Sequence, residues 1–291
     1  MAQNLHSIEF RAKKLFPKLC KENTMRKIKT LIAGFAVSSF MGAAYASPIT
    51  VGGITWDPDY SEPFGTGEDY EARFEFTQWF SSTSTAGGFI GAGNFTNALK
   101  YGTIVTDATN GGSFGNYWLQ GVGEVSYMNG STTFGAPSSE LTYAFGGIKL
   151  NANGSFDTSN GWFKVYVNST TPNYTAPTTN EGEVADAQSG LLWLGGTFNS
   201  LVNTSGSVQN TFVSAELQVT EGAAKFHFSP TLEYSGSAFF APLNPNAKYS
   251  QAGNGQLKGN TIPEPATLAL MGMGLLGFSA ARRYSNKNAA D

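Results

Sequence analysis

The sequence predicts an all-β protein whose body is a single antiparallel β-sandwich of jelly-roll type. The body is rich in Ser, Thr and Asn, and the chain holds 35 Gly, 22 Phe and 12 Tyr, a composition that favours strands and turns. Seven segments have strand character and are bounded by turn-forming residues, a number that fits one sandwich. No segment of the body repeats apolar residues at helical spacing over three turns.

The strand predictions start with residues 70–77, which alternate strictly between apolar and polar side chains. We expect the apolar residues to face a core and Glu71, Arg73 and Glu75 to face water. The segment 168–186 is poor in apolar residues and is predicted to be a surface loop. Neither a charge run nor a proline cluster divides the body, which predicts one domain. The remaining predicted strands are 117–128, 141–150, 162–167, 191–198, 211–219 and 224–234.

The N-terminal end has the order of a secretory signal peptide. A basic stretch and a short apolar run precede the small residues Ala44 and Ala46. This order predicts a signal helix within residues 1–46, removed by signal peptidase between Ala46 and Ser47. The apolar run is too short for a permanent transmembrane helix. The residues before Met25 add cations without an apolar run, so Met25 is an alternative start.

The C-terminal end has a three-part order of its own. Pro263-Glu264-Pro265 is followed by an apolar stretch at 266–281 and then by Arg282-Arg283. The prolines keep the entry segment extended and free of helix. The apolar stretch is predicted to be a transmembrane helix, with the arginines held on the cytoplasmic side.

This tail resembles the PEP-CTERM sorting signal of Gram-negative bacteria, with Pro263, Glu264, Pro265, Arg282 and Arg283 in the order of the motif. The resemblance implies processing by an exosortase in species that make extracellular polysaccharide. It implies a transient inner-membrane intermediate and then the cell surface, extracellular matrix or biofilm as the destination. It is limited to about the last 30 residues and implies nothing about the fold of the body.

The charge and cysteine content of the body exclude several classes of function. Residues 47–262 hold 17 Asp and Glu against 7 Lys and Arg, whereas the whole chain has a net charge of −3. Such an acidic body argues against a nucleic-acid partner. The single cysteine, Cys20, lies before the body, so we expect no disulfide framework there. With His227 as the one histidine of the body, a zinc site of nitrogen and sulfur ligands is excluded as well.

Carboxylates supply the two remaining chemical hypotheses. Asp57, Asp59 and Glu62 belong to an acidic loop whose oxygen ligands suit calcium, although the loop lacks the EF-hand spacing. Glu124 and Glu216 lie in predicted strands, where a concave face would present them as the acid and base of a glycoside hydrolase. The competing interpretation places each on the solvent side of its strand.

The sequence therefore predicts a signal region at 1–46, a β-sandwich domain at 47–240, a flexible spacer at 241–262 and a sorting tail at 263–291. The predicted function is that of a non-enzymatic surface or matrix protein, with exopolysaccharide as the candidate ligand. A secreted glycoside hydrolase and a self-assembling surface subunit are the alternatives. Most tryptophans are expected in the core, with some available to sugars; they are Trp56, Trp79, Trp118, Trp162 and Trp193.

Overall fold

In a computed structural model of the chain, the described part of the body begins at Ala46. The described residues are 46–61, 67–85, 87–99, 117–137, 139–151, 153–168, 181–207, 210–239, 250–262 and 274. The predicted signal helix and transmembrane helix lie outside them. Among the described residues, no helix has the length and apolar character needed to cross a membrane.

Eleven strands and three short helical segments make up the described fold. The strands are β1 (Ile49–Val51), β2 (Ile54–Trp56), β3 (Tyr70–Ser81), β4 (Tyr117–Met128), β5 (Glu140–Leu150), β6 (Phe156–Asp157), β7 (Trp162–Asn168), β8 (Leu191–Ser207), β9 (Asn210–Glu221), β10 (Thr231–Phe239) and β11 (Ser250–Gly259). The helical segments are α1 (Ala92–Thr96), α2 (Glu181–Asp186) and a 3-10 helix (Lys225–His227).

Eight of these strands form one antiparallel sheet that closes on itself. Its order is β3-β4-β5-β7-β8-β9-β10-β11, and β11 pairs with β3 again. We refer to this closed sheet as the cylinder. β6 pairs with β5 outside the ring, and β1 and β2 form a separate hairpin. Closure leaves none of these eight strands as an exposed sheet edge along its paired length.

The all-β antiparallel prediction is confirmed, but the single closed sheet replaces the two packed sheets of the predicted sandwich. The pairing that decides between them joins β4 to β5, from Tyr117 opposite Leu150 to Glu124 opposite Thr142. Alternating side chains bury one face of a strand in either architecture. The sequence pattern therefore predicted that one face of each strand is buried, but it did not predict that the sheet closes.

The predicted flexible spacer at 241–262 is corrected by strand β11. This strand, Ser250–Gly259, completes the cylinder between β10 and β3, and Leu257 is buried in the core. The segment reads as polar because its inward positions include Gly253 and Gly255, which lie under aromatic rings of neighbouring strands. A strand that buries glycines lacks the apolar alternation on which a strand prediction relies. The domain thus extends well beyond residue 240.

Strand boundaries were predicted well where the alternation is strong. The segment 117–128 coincides with β4, and the predicted strand at 70–77 is the first part of β3. The prediction at 224–234 joined a 3-10 helix to the start of β10. The predicted loop at 168–186 ends in α2, whose Val184 is buried against the outside of the sheet.

One end of the cylinder is plugged by aromatic rings. Trp56 from the β1–β2 hairpin contacts Trp193 edge to face, with ring centroids 5.4 Å apart, and stacks on Phe228 at 5.4 Å. Tyr70 meets Phe228 edge to face at 4.8 Å. The indole N–H of Trp193 donates to the carbonyl of Val51 at 3.0 Å, which ties the hairpin to the cylinder.

Candidate functional site: the C-terminal exit and the outer face

The chain leaves the folded body at a point held by hydrogen bonds from several elements. Asp69 Oδ1 accepts from the backbone N–H of Thr261 at 2.5 Å and from its hydroxyl at 2.9 Å. The N–H of Ile262 donates to the carbonyl of His227 at 2.8 Å, and the N–H of Ser229 donates to the carbonyl of Asn260 at 2.7 Å. We call residues 260–262 with these partners the C-terminal clasp. The residues directly before Pro263 are therefore hydrogen-bonded to the body.

The predicted calcium ligands are placed only in part. Asp57 Oδ1 accepts from the backbone N–H of Asp59 at 2.9 Å, and Asp59 Oδ2 accepts from the backbone N–H of Ala46. Glu62 lies outside the described residues. In the described part of the chain, no group of three or more metal-ligating side chains comes together. Calcium binding at this loop stays a prediction.

The hydrogen bond between Ala46 and Asp59 lies at the predicted signal-peptidase site. Ala46 and Ser47 are the first described residues, and Ala44 lies outside them. The bond from Ala46 to Asp59 keeps these residues against the loop that follows β2. Cleavage between Ala46 and Ser47 stays a prediction.

Glu71, which was expected to face water, is almost fully buried on the outer face of β3. Its carboxylate accepts from Arg73 Nε at 2.8 Å, from Gln256 Nε2 at 2.6 Å and from the hydroxyl of Tyr60 at 3.3 Å. The Arg73 guanidinium also lies 4.4 Å from the ring centre of Tyr127. A buried carboxylate is tolerated when charged and polar donors satisfy it in this way.

Next to this network lies a shallow groove of about 580 Å³ on the outer face, which we call the outer groove. It crosses β3, β4 and β8–β11, and Phe212 is exposed beside it. Its lining combines hydroxyl, amide and charged groups with apolar side chains and backbone; the lining residues are Arg73, Phe74, Glu75, Ser126, Thr204, Phe212, Val213, Ser214, Ser235, Gly236, Asn254, Gly255 and Gln256.

The proposed acid and base of a glycoside hydrolase are not brought together. Glu124 lies on the outer face of β4 and Glu216 on the outer face of β9, where it accepts from Asn199 Nδ2 at 2.7 Å. β4 and β9 are four strands apart in either direction around the ring, and so lie on opposite sides. Both carboxylates point outward from these opposite sides, so the cylinder itself separates them, whereas a catalytic pair faces one substrate across about 5–9.5 Å. This pair is therefore excluded.

Glu124 instead belongs to a group of carboxylates on one side of the cylinder. It lies directly opposite Glu75 on the neighbouring strand. Burial, together with the negative charges of Glu140 and Glu75, raises the pKa of Glu124 above the ordinary carboxyl range. The folded protein therefore binds this proton more tightly than the unfolded chain does. The contribution of Glu124 to stability falls as pH rises through its raised folded pKa.

Replacing Glu124 with glutamine is expected to stabilise the protein by about 0.5 kcal/mol at pH 7, because it removes a like-charge pair across two strands. The gain should shrink as the pH falls through the raised pKa, since wild-type Glu124 is then neutral. Chemical denaturation between pH 4 and pH 8 measures both effects. Glu75→Gln should give a similar gain, and the double variant less than the sum. Equal gains at every pH would contradict this account.

The tryptophans are mostly core residues, as expected. Trp118 is half-buried, and the other four expose less than a tenth of their surface; these are Trp56, Trp79, Trp162 and Trp193. A sugar-binding surface built on tryptophan therefore has little support among the described residues. The exposed aromatic side chain at the outer groove is Phe212, which the sequence did not distinguish from the core phenylalanines.

Comparison with known proteins places a family motif directly at the C-terminal clasp. A family model described as the PEP-CTERM protein-sorting motif matches residues 261–283, which include Pro263-Glu264-Pro265 and Arg282-Arg283. The chain carries a PEP-CTERM tail. The motif implies processing by an exosortase, with export and surface sorting by way of the membrane. No curated protein and no solved structure matches the chain. The PEP-CTERM match covers residues 261–283 and therefore assigns no function to the body.

The residues of the PEP-CTERM tail after Ile262 lie outside the described part of the chain, apart from position 274. The clasp itself was missed by sequence reasoning. Asp69 and Thr261 are 192 residues apart, and neither belongs to a local motif that would indicate their contact. The beginning of the matched motif at residue 261 is the one sequence signal that coincides with the clasp.

Proposed function

We propose that this chain is a non-enzymatic surface protein that an exosortase sorts by its PEP-CTERM tail, with the cylinder as the part delivered to the cell surface or extracellular matrix. The observation that carries the proposal is the attachment of the sorting motif to the body. The first two matched residues, Thr261 and Ile262, are hydrogen-bonded to Asp69 and to the carbonyl of His227. The folded cargo thus reaches its processing signal without an intervening spacer.

The proposal of a non-enzymatic role is supported by the dispersal of the candidate catalytic groups. Glu124 and Glu216 lie on opposite sides of the cylinder. Glu71, the buried carboxylate, is committed to Arg73 and Gln256. A general acid or base must reach the substrate proton that it transfers. The carboxylate of Glu71 is occupied by its contacts within the protein.

Glycan binding is a second candidate function, favoured by the outer groove. Sugars are recognised by hydroxyl, amide and charged groups together with an aromatic face, and the groove offers Ser214, Asn254, Arg73 and Phe212. Its open, shallow form suits an extended polymer better than a small enclosed ligand. On this proposal, exopolysaccharide would retain the sorted protein in the matrix.

Cell fractionation of a polysaccharide-producing host with an exosortase tests the proposal. The variant replaces Pro263, Glu264 and Pro265 with alanine, and the control replaces Ser285, Asn286 and Asn288, which follow the matched residues. Wild type and control should reach the surface or matrix fraction, while the variant stays with the inner membrane. Equal distribution of all three would overturn the proposed sorting role.

The matrix fraction also distinguishes the proposed ways of retention. Elution by soluble exopolysaccharide, or release by polysaccharide digestion, would support glycan binding. Retention in assemblies that survive polysaccharide digestion would favour the self-assembling subunit instead. Degradation of the polysaccharide by the purified protein would overturn the non-enzymatic assignment.

A further inference from the structure

The interior of the cylinder contains a cavity away from its plugged end. Its volume is about 80 Å³, and sixteen described residues line it. A single water needs roughly 10–15 Å³ of such space, so the cavity exceeds a packing defect. The plug of Trp56, Trp193 and Phe228 lies beyond this lining, which reaches from Phe74 toward the opposite end of β3.

The cavity exists because aromatic rings lie against the wall instead of filling the centre. A Cβ atom at Gly121 would lie 2.7 Å from the ring of Phe145 on the next strand, and one at Gly123 would lie 2.7 Å from the ring of Tyr143. Each ring therefore occupies the space above a glycine. Such aromatic-over-glycine pairs cover the backbone and keep the rings close to the sheet.

The same arrangement recurs on β11, on the other side of β3. A Cβ atom at Gly253 would meet the ring of Phe76, and one at Gly255 would meet the ring of Tyr234. The glycines of β4 and β11 lie on either side of β3, so aromatic rings cover glycines on both neighbours of that strand. An eight-stranded closed sheet can be filled by its side chains or can hold one small ligand. Glycine at these inward positions favours the second outcome.

The chemistry of the lining selects the kind of molecule that fits. None of the sixteen residues is charged, and all but three are purely apolar. A charged ligand would therefore lose its hydration without an ionic partner. The polar exceptions are Gln78 and two tyrosines, one of which is Tyr234. Burial raises the pKa of Tyr234, so its hydroxyl stays neutral.

Gln78 supplies the amide group of this lining. Its side chain is 4 % exposed and lines the cavity from β3. A ligand with one hydroxyl or carbonyl group would satisfy this amide, while its apolar part fills the space between the rings.

We propose that the cylinder binds one small uncharged molecule, an apolar ring or branched chain with a single hydrogen-bonding group, between the aromatic walls and the amide of Gln78. This inference is independent of how the chain is sorted. A ring-sized ligand matches both the cavity volume and the aromatic lining.

Matched ring-sized probes test the site in the full chain, reconstituted in lipid nanodiscs and observed by fluorine NMR. The probes are 4-fluorophenol and 4-fluorotoluene, which have the same shape and differ by a hydroxyl in place of a methyl group. Val213→Phe adds a ring inside the cavity, and Val202→Phe adds the same ring on the exposed outer face of the adjacent strand. Because both variants share the lipid background, partition of the probes into lipid cancels.

Saturable binding of both probes is expected for wild type and Val202→Phe, with affinity at least tenfold weaker in Val213→Phe. Gln78→Leu should weaken 4-fluorophenol several-fold and leave 4-fluorotoluene unchanged or tighter. If Val213→Phe does not fold, the Gln78→Leu titrations decide alone. The proposal is overturned if neither probe saturates wild type, if Val213→Phe binds like Val202→Phe, or if Gln78→Leu affects both probes equally.

Discussion

Replacing Trp193 with alanine is expected to lower the free energy of unfolding by about 3–5 kcal/mol, the usual cost of deleting a buried aromatic side chain. Trp193 is 1 % exposed and contacts both Trp56 and Phe228 at the plugged end of the cylinder. Its loss also removes the hydrogen bond to the Val51 carbonyl, which joins the β1–β2 hairpin to β8. Thermal unfolding should shift downward by roughly 10 °C or more.

Trp118→Ala is the matched control, because Trp118 is half-buried on β4 and lies outside the plug. It should cost about 1 kcal/mol, well below the loss at Trp193. Circular dichroism and thermal denaturation of the two variants, measured together, give the comparison. Equal losses at the two positions would show that the plug does not hold the end of the cylinder closed.

Replacing Asp69 with alanine is expected to cost about 2 kcal/mol, because two groups of Thr261 lose their shared acceptor at once. Thr261 is 5 % exposed, so neither its N–H nor its hydroxyl regains full hydration within the folded protein. The loss is local to the C-terminal clasp, where residues 260–262 leave the body. We therefore expect faster amide hydrogen exchange at Thr261 and Ile262 than the change in global stability explains.

Asp69→Asn keeps the Oδ1 acceptor and should retain most of both hydrogen bonds. Hydrogen exchange of this variant should resemble that of wild type at the clasp. The two substitutions thus separate the acceptor from the charge. If the Asp69→Asn and Asp69→Ala proteins exchange alike at Thr261, the carboxylate charge and not the hydrogen-bond geometry would hold the clasp.

Sequence patterns predicted the faces of the strands more reliably than their partners. The alternation of 70–77 correctly assigned Tyr70, Ala72, Phe74 and Phe76 to the core. It misplaced Glu71, because a charged residue at an outward position is expected to meet water. Its burial depends on Gln256, which is 185 residues away and belongs to a strand that the sequence did not reveal.

The closure of the sheet and the C-terminal clasp could not be predicted from the sequence, for a related physical reason. Both depend on β11, in which inward glycines replace the apolar residues that identify a strand. The rings that cover these glycines, Phe76 and Tyr234, belong to neighbouring strands. The sorting tail, in contrast, is recognised as a contiguous motif, and the prediction of a PEP-CTERM signal is confirmed.

The most direct test of the sorting account is the intact mass of the protein recovered from the surface of a polysaccharide-producing host with an exosortase. The account predicts a chain that starts at Ser47, retains the clasp residues through Ile262 and lacks Arg282-Arg283. A surface protein that keeps both arginines, or one that ends within β11, would contradict it.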